Sequence, residues 1–184
     1  MGVNSLGANT TADNNTAFGK DTLKVNTTGA SNTAVGSLVL DSNTTGNNNT
    51  GIGLNALGLN TTGGQNVAVG DNALAANTTA TYNTAVGTSA LLFNTTGAQN
   101  VAIGAFTLDS NTTGDQNTAL GYQALRQNET ADNNTGIGYR ALLENTTGTQ
   151  NVAVGCKALD ANTTASSGTA IGNNALTANT TGAA

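Results

Sequence analysis

Short apolar clusters alternate along the chain with stretches rich in Asn, Thr and Gly, and they do so at a fixed interval. The run Asn-Val-Ala-Ile-Gly at 100–104 is preceded seventeen residues earlier by Asn-Thr-Ala-Val-Gly and followed seventeen residues later by Asn-Thr-Ala-Leu-Gly. The same pentapeptide begins at Asn15, Asn32, Asn49, Asn66, Asn83, Asn100, Asn117, Asn134, Asn151 and Gly168, without insertion or deletion. A partial unit over 1–14 carries Gly2, Leu6, Asn9 and Thr11 in the same register. The organisation predicted is one repeat domain over 1–184: the partial coil 1–14, then ten 17-residue coils over 15–184.

Positions in each unit are numbered 1 to 17 from the first residue of that pentapeptide. Position 5 is always Gly, position 9 always Leu, position 12 always Asn and position 14 always Thr in the ten full units. Position 4 is always large and apolar (Phe18, Val35, Ile52, Val69, Val86, Ile103, Leu120, Ile137, Val154, Ile171). Position 3 is Ala or Gly, and position 8 is usually Ala. All fifteen charged residues fall at positions 6, 7, 10, 11, 13 or 16. Charged side chains avoid unpaired burial, so those positions read as solvated turns and the invariant columns as structural or contact columns.

A helical unit is excluded by Gly at 5, frequent Gly at 15 and β-branched Thr at 13 and 14, all poor helix formers. The remaining solution is all-β: each unit is one coil of a parallel β-solenoid. Equivalent residues then stack roughly 4.7–4.9 Å apart, and ten coils give a rod about 50 Å long. Stacking explains identity within a column, since Asn at position 12 can ladder amide to amide. Gly at 5 and 15 is expected where the coil turns with φ > 0. The lack of Pro fits a ladder that needs every N–H.

Alternation puts positions 2 and 4 on one face of the strand and 3 and 5 on the other. Ala at 8 and Leu at 9 are expected to lie back to back in a second strand. Neither strand then has a plainly polar outer face. A thin coil buries one face, filled by the small or by the large residues, and the other face calls for a lateral partner.

Composition alters this picture little. Leu, Ile, Val and Phe form under a fifth of the 184 residues, which leans toward disorder. The net charge is only −5 with 8% charged residues, however, so self-repulsion is weak. A strict register of apolar columns outweighs composition.

The run NVAIGAFTL at Asn100–Leu108 resembles the SVAIG-type head repeats of trimeric autotransporter adhesins (the YadA-like repeats). The units are closer still to the NTAIG…NTTG repeats of bacterial and phage fibre proteins, and the resemblance covers the whole chain. It implies a left-handed parallel β-roll, a homotrimer that is intertwined or packed side by side, and a place outside the cell, on the cell surface or in a virion fibre. The units here are longer than those of the adhesins, with the excess in the Asn-Thr-Thr-Gly segment. Met1 directly before a truncated unit suggests a piece of a larger protein.

Enzyme chemistry lacks an inventory. There is no His, the usual general base and commonest metal ligand. The single Cys156 at position 6 has no intrachain partner and no base beside it in the sequence. Asp41, Asp109 and Asp160 share position 10 but belong to distant coils, so they make no paired acid site. No catalytic, metal or cofactor residue is nominated, and no cofactor is expected. Five basic residues in an acidic chain do not suit nucleic acid, and no apolar run is long enough to span a membrane.

Two features could bind something. Tyr122 and Tyr139, at position 6 of adjacent coils, could meet sugar rings, or could simply stack on each other. The Asn-Thr-Thr columns could form a flat, uncharged array of amides, hydroxyls and methyls like those of ice-binding solenoids. They are better read as satisfying backbone groups in the turn, since Glu129 and a shifting Gly or Ala at position 15 are tolerated there. The same triplets match a glycosylation acceptor, but their occurrence in every coil is better explained by stacking. The reading that follows is a non-enzymatic structural or adhesive fibre segment, with a cell-surface, glycan or matrix ligand as its partner. The alternative is a monomeric ice-binding solenoid using the Asn-Thr-Thr face.

Overall fold

A computed structural model describes residues 2–182 and contains ten strands and no helix. The strands are β1 (Thr16–Phe18), β2 (Thr33–Ser37), β3 (Thr50–Leu54), β4 (Val67–Val69), β5 (Thr84–Val86), β6 (Val101–Ile103), β7 (Thr118–Leu120), β8 (Thr135–Ile137), β9 (Val152–Val154) and β10 (Thr169–Ile171). They form one parallel sheet in sequential order, each residue paired with its equivalent seventeen residues on (Thr84 with Val101, Ala85 with Ala102, Val86 with Ile103). The fold is the β-solenoid that the periodicity predicts.

The coil 83–99 shows how one unit closes. Thr84 N–H donates forward to the Asn100 carbonyl at 2.8 Å, and Gly87 N–H donates back to the Val69 carbonyl at 2.8 Å. Bonds between coils continue outside the strand. Leu91 donates to Thr107 at 3.0 Å, Thr95 to Thr112 at 2.9 Å and Gln99 to Thr81 at 3.1 Å. The backbone's polar groups are therefore answered around most of the coil and not only in the strand, as burial requires.

Small residues fill the inside. Ala85, Ala90 and Leu91 are completely buried, and the same three columns supply the core along the rod. The large residues of position 4 face outward. Among the described residues no second strand forms: positions 7 to 11 are a chain of turns, joined by position 6 except where β2 and β3 run on to Ser37 and Leu54. Ala90 and Leu91 do not lie back to back but both point inward, because Leu91 has φ 52° and Ser89 φ 55°. A left-handed residue breaks the two-residue alternation, so adjacent side chains reach the same interior.

Glycine is needed for its conformation at position 5, where Gly87 has φ 133° and its equivalents are similar. Position 15 differs from expectation, for none of its glycines has positive φ. It is an interior position, where a Cβ on Gly97 would come within 2.5 Å of Asn94 Oδ1. Ala80, Ala131 and Ala165 occupy the same column and are buried. The remaining left-handed positions are 7, 9 and 17, for example Ser89, Leu91 and Gln99.

Candidate functional site

The Asn-Thr-Thr segment divides between inside and outside. Asn94 is fully buried. Its Nδ2 donates to the Asn77 Oδ1 of the preceding coil at 3.3 Å and to the Gly97 carbonyl at 2.9 Å. Asn83, at position 1, forms a second ladder: its backbone N–H donates to Asn66 Oδ1 at 3.0 Å and its Nδ2 to the Gly97 carbonyl at 2.8 Å. One carbonyl thus gathers both amides and ties the start of the coil to its end. Asn at position 12 ladders through the interior and satisfies a turn carbonyl, as expected, and takes no part in a surface array.

Thr95 turns its hydroxyl onto the backbone, donating to the Thr112 carbonyl at 3.0 Å. Position 13 does this repeatedly, as in Thr44 to Thr61, Thr61 to Thr78 and Thr78 to Thr95. The column therefore serves the turn. Position 14 is exposed in every coil, from Thr28 to Thr181.

The strand's outer face is the other long surface. Thr or Val at position 2 and the large apolar residues at position 4 form two parallel columns along the rod. Within the row Val35, Val69, Val86, Ile137 and Val154 are half-buried, and Ile52, Ile103 and Leu120 are exposed. At the row's ends Phe18 is 65% and Ile171 72% exposed, and among the described residues each pairs with one neighbouring strand. No other part of the coil covers this face.

Tyr122 and Tyr139 stack on each other, with ring centroids 5.8 Å apart and planes 9° from parallel, and Phe106 meets Tyr122 edge-on at 6.0 Å. Each ring gives one face to the other and Tyr122 also meets Phe106, which favours the stacking reading over sugar binding. Cys156 is exposed and unpaired on a turn.

Two aspartates depart from the picture of charges only in solvated turns. Asp109 is buried beside the Arg126 guanidinium of the next coil, Nε to Oδ2 3.3 Å. Burial pushes its carboxyl above the ordinary range, with Arg126 partly opposing the rise. Asp21 is also buried, and the Asn4 amide donating to it at 2.7 Å holds its carboxyl low, helped by Lys24 and Lys20. Asp41, whose carboxyl is likewise raised by burial, lies four coils from Asp109, so the position-10 carboxylates do not converge. Among the described residues no three His, Cys, Asp or Glu side chains gather, and no cavity indents the surface. Among the described residues no helix is long and apolar enough to cross a membrane.

No protein-family model matches the chain, and no curated protein or solved structure matches it either.

Proposed function

We propose that the chain is a non-enzymatic shaft or head segment of an extracellular, cell-surface or virion fibre, built from three copies packed side by side through the outer face of the strands. The observation that carries this reading is the unbroken outward column Phe18–Val35–Ile52–Val69–Val86–Ile103–Leu120–Ile137–Val154–Ile171. Fully burying one such side chain is worth about 1.5–3 kcal/mol. Even a fraction of that, repeated in every coil, makes lateral association strongly favourable. A continuous apolar stripe of this length also exceeds what soluble monomers usually expose.

The solenoid suits a mechanical role. Hydrogen bonds run along the rod in every coil, and each coil templates the next, so extension needs no new architecture. The variable positions 6 and 11, with those residues of 7 and 10 that are not buried, can carry a cell-surface, glycan or matrix specificity without disturbing the core. The number three rests on the resemblance to the adhesin and fibre repeats.

The test is the mass in solution by size-exclusion chromatography with light scattering, for the wild type and for the double variant Ile103→Glu, Leu120→Glu. Three chains for the wild type and one folded chain for the variant are expected. A monomeric wild type, or an assembly that the variant leaves intact, refutes the proposal.

A further inference from the structure

Thr at position 14 occurs in all eleven units, from Thr11 to Thr181, while positions 6, 7, 10, 11, 16 and 17 diverge freely. The other constant columns have internal causes. Leu at 9 fills the core, Asn at 12 builds a ladder, and Gly at 5 adopts a φ closed to side chains. Position 13 has a cause too, because its hydroxyl holds the next coil's carbonyl, and even there Glu129 is tolerated. Position 14 has none of these. Its side chain is exposed in every coil, its φ is negative and open to any residue, and its hydroxyl meets no protein acceptor among the described residues. A constancy that nothing inside the molecule requires points to contact outside it.

The column presents a hydroxyl and a methyl at each step, is uncharged throughout, and advances by one coil, about 4.7–4.9 Å. Uniform spacing over many coils is useless to a small or flexible ligand, which would meet only two or three of them. It suits a rigid, neutral, periodic surface of oxygen donors and acceptors, where every step adds one weak contact to the last. The oxygen repeat of an ice surface is of this kind and of closely similar spacing. We infer that the position-14 threonines form an ice-binding row, on a part of the coil separate from the strand face. The inference does not rest on the fibre reading and holds for a single chain or an assembly.

The experiment compares ice-recrystallisation inhibition and thermal hysteresis of four proteins: the wild type, Thr79→Lys/Thr96→Lys/Thr113→Lys, Thr78→Val/Thr95→Val, and Ile103→Lys. Circular dichroism and light scattering on the same samples establish folding and mass. Activity in the wild type, lost in the position-14 variant and kept in the other two, is expected. Inactivity of the wild type overturns the inference, as does activity that survives the three lysines or that disappears with Ile103→Lys instead. A changed mass in the Ile103→Lys protein bears only on the fibre reading. Should the lysine variant fail to fold, Thr79→Ala/Thr96→Ala/Thr113→Ala takes its place with the same expected loss.

Discussion

Asn111 donates its Nδ2 to the Oδ1 of Asn94 at 2.8 Å, with both side chains completely removed from water. This contact joins two coils through their interior rather than through the sheet. Replacing Asn94 by Ala strips Asn77 Oδ1 of the donor that Asn94 supplies and removes one of the two amides on the Gly97 carbonyl. A buried polar group left unpaired costs about 1–3 kcal/mol. The expected loss for Asn94→Ala is therefore on the order of 3 kcal/mol, counting one lost acceptor pairing and the weakened neighbours. Asn179 in the last coil, which is only partly buried and bonds solely to Gly182, is expected to lose much less on the same change. Urea unfolding of the two variants checks the contrast.

Position 5 separates steric closeness from conformational strain. Gly87 has φ 133°, and a Cβ there would come 2.5 Å from the Gly104 carbonyl oxygen of the next coil. Gly172 has φ 130° in the last coil, where the nearest atom to such a Cβ is 3.9 Å away. Gly172→Ala is expected to cost about 1–3 kcal/mol for the strained backbone alone. Gly87→Ala adds a backbone clash that no side chain can relieve, so it is expected to prevent the middle coils from stacking. Thermal unfolding should show a lowered midpoint for Gly172→Ala and a broken or absent transition for Gly87→Ala.

The architecture was readable because the register is free of insertions: one coil solved is every coil solved. The strand at positions 2 to 4, the Gly at 5 and the interior ladder at 12 all follow from it. What pattern reasoning missed is the turn chain at 7 to 11. Leu91 and Ser89 are left-handed although neither is Gly or Asn, and this alone puts Ala90 and Leu91 on one side. A signal was available, for positions 7 and 9 hold no β-branched residue in any full coil, as a positive φ requires. The choice between small and large residues for the interior could not be made from alternation, since the pleat fixes only which positions share a face. The structure puts the small residue of position 3 inside with positions 8 and 9 and leaves position 4 outside. Thr at 13 and 14 look alike in sequence and differ only in whether a carbonyl of the next coil lies within reach.

Asp109 makes the fold sensitive to pH in an unusual sense. Its carboxyl is raised above the ordinary 3.8 because burial disfavours the charge more than Arg126 favours it. The folded chain then holds this proton more tightly than the unfolded chain. Ionised Asp109 costs stability at neutral pH, and the cost is relieved as pH falls through the raised folded value toward the ordinary one. Asp109→Asn is expected to unfold at a higher midpoint than the wild type at pH 7, with the difference shrinking by pH 4. Asp21 is opposite in sign. Its lowered carboxyl contributes stability that is present above the ordinary value and lost as pH falls through the folded one, so Asp21→Asn is expected to destabilise at pH 7. Midpoints across a pH series test both signs.

The interior ladder also predicts how the chain behaves where N-linked glycans are attached. Every Asn of position 12 stands in an Asn-x-Thr triplet, including Asn128-Glu129-Thr130, and so do Asn14, Asn48 and Asn133 at position 17. The two sets meet different surroundings. Asn94 and its fully buried equivalents have their amides committed to the ladder, and a sugar on any one of them cannot enter the coil. Asn48 and Asn133 are exposed, with side chains that bond to nothing else in the chain. Transfer of glycans to the nascent chain, before the coils close, is therefore expected to block folding through position 12 and to be harmless at position 17. Passage through a eukaryotic secretory route should yield glycosylated, protease-sensitive chains. Inhibiting glycan transfer, or changing every position-14 Thr to Val, should restore a protease-resistant rod, because that Thr makes no side-chain hydrogen bond within the coil. Mass spectrometry on the resistant fraction should find sugar at Asn48 or Asn133 and none at Asn94. A folded rod carrying a glycan on Asn94 would show that the amide ladder is dispensable to the coil.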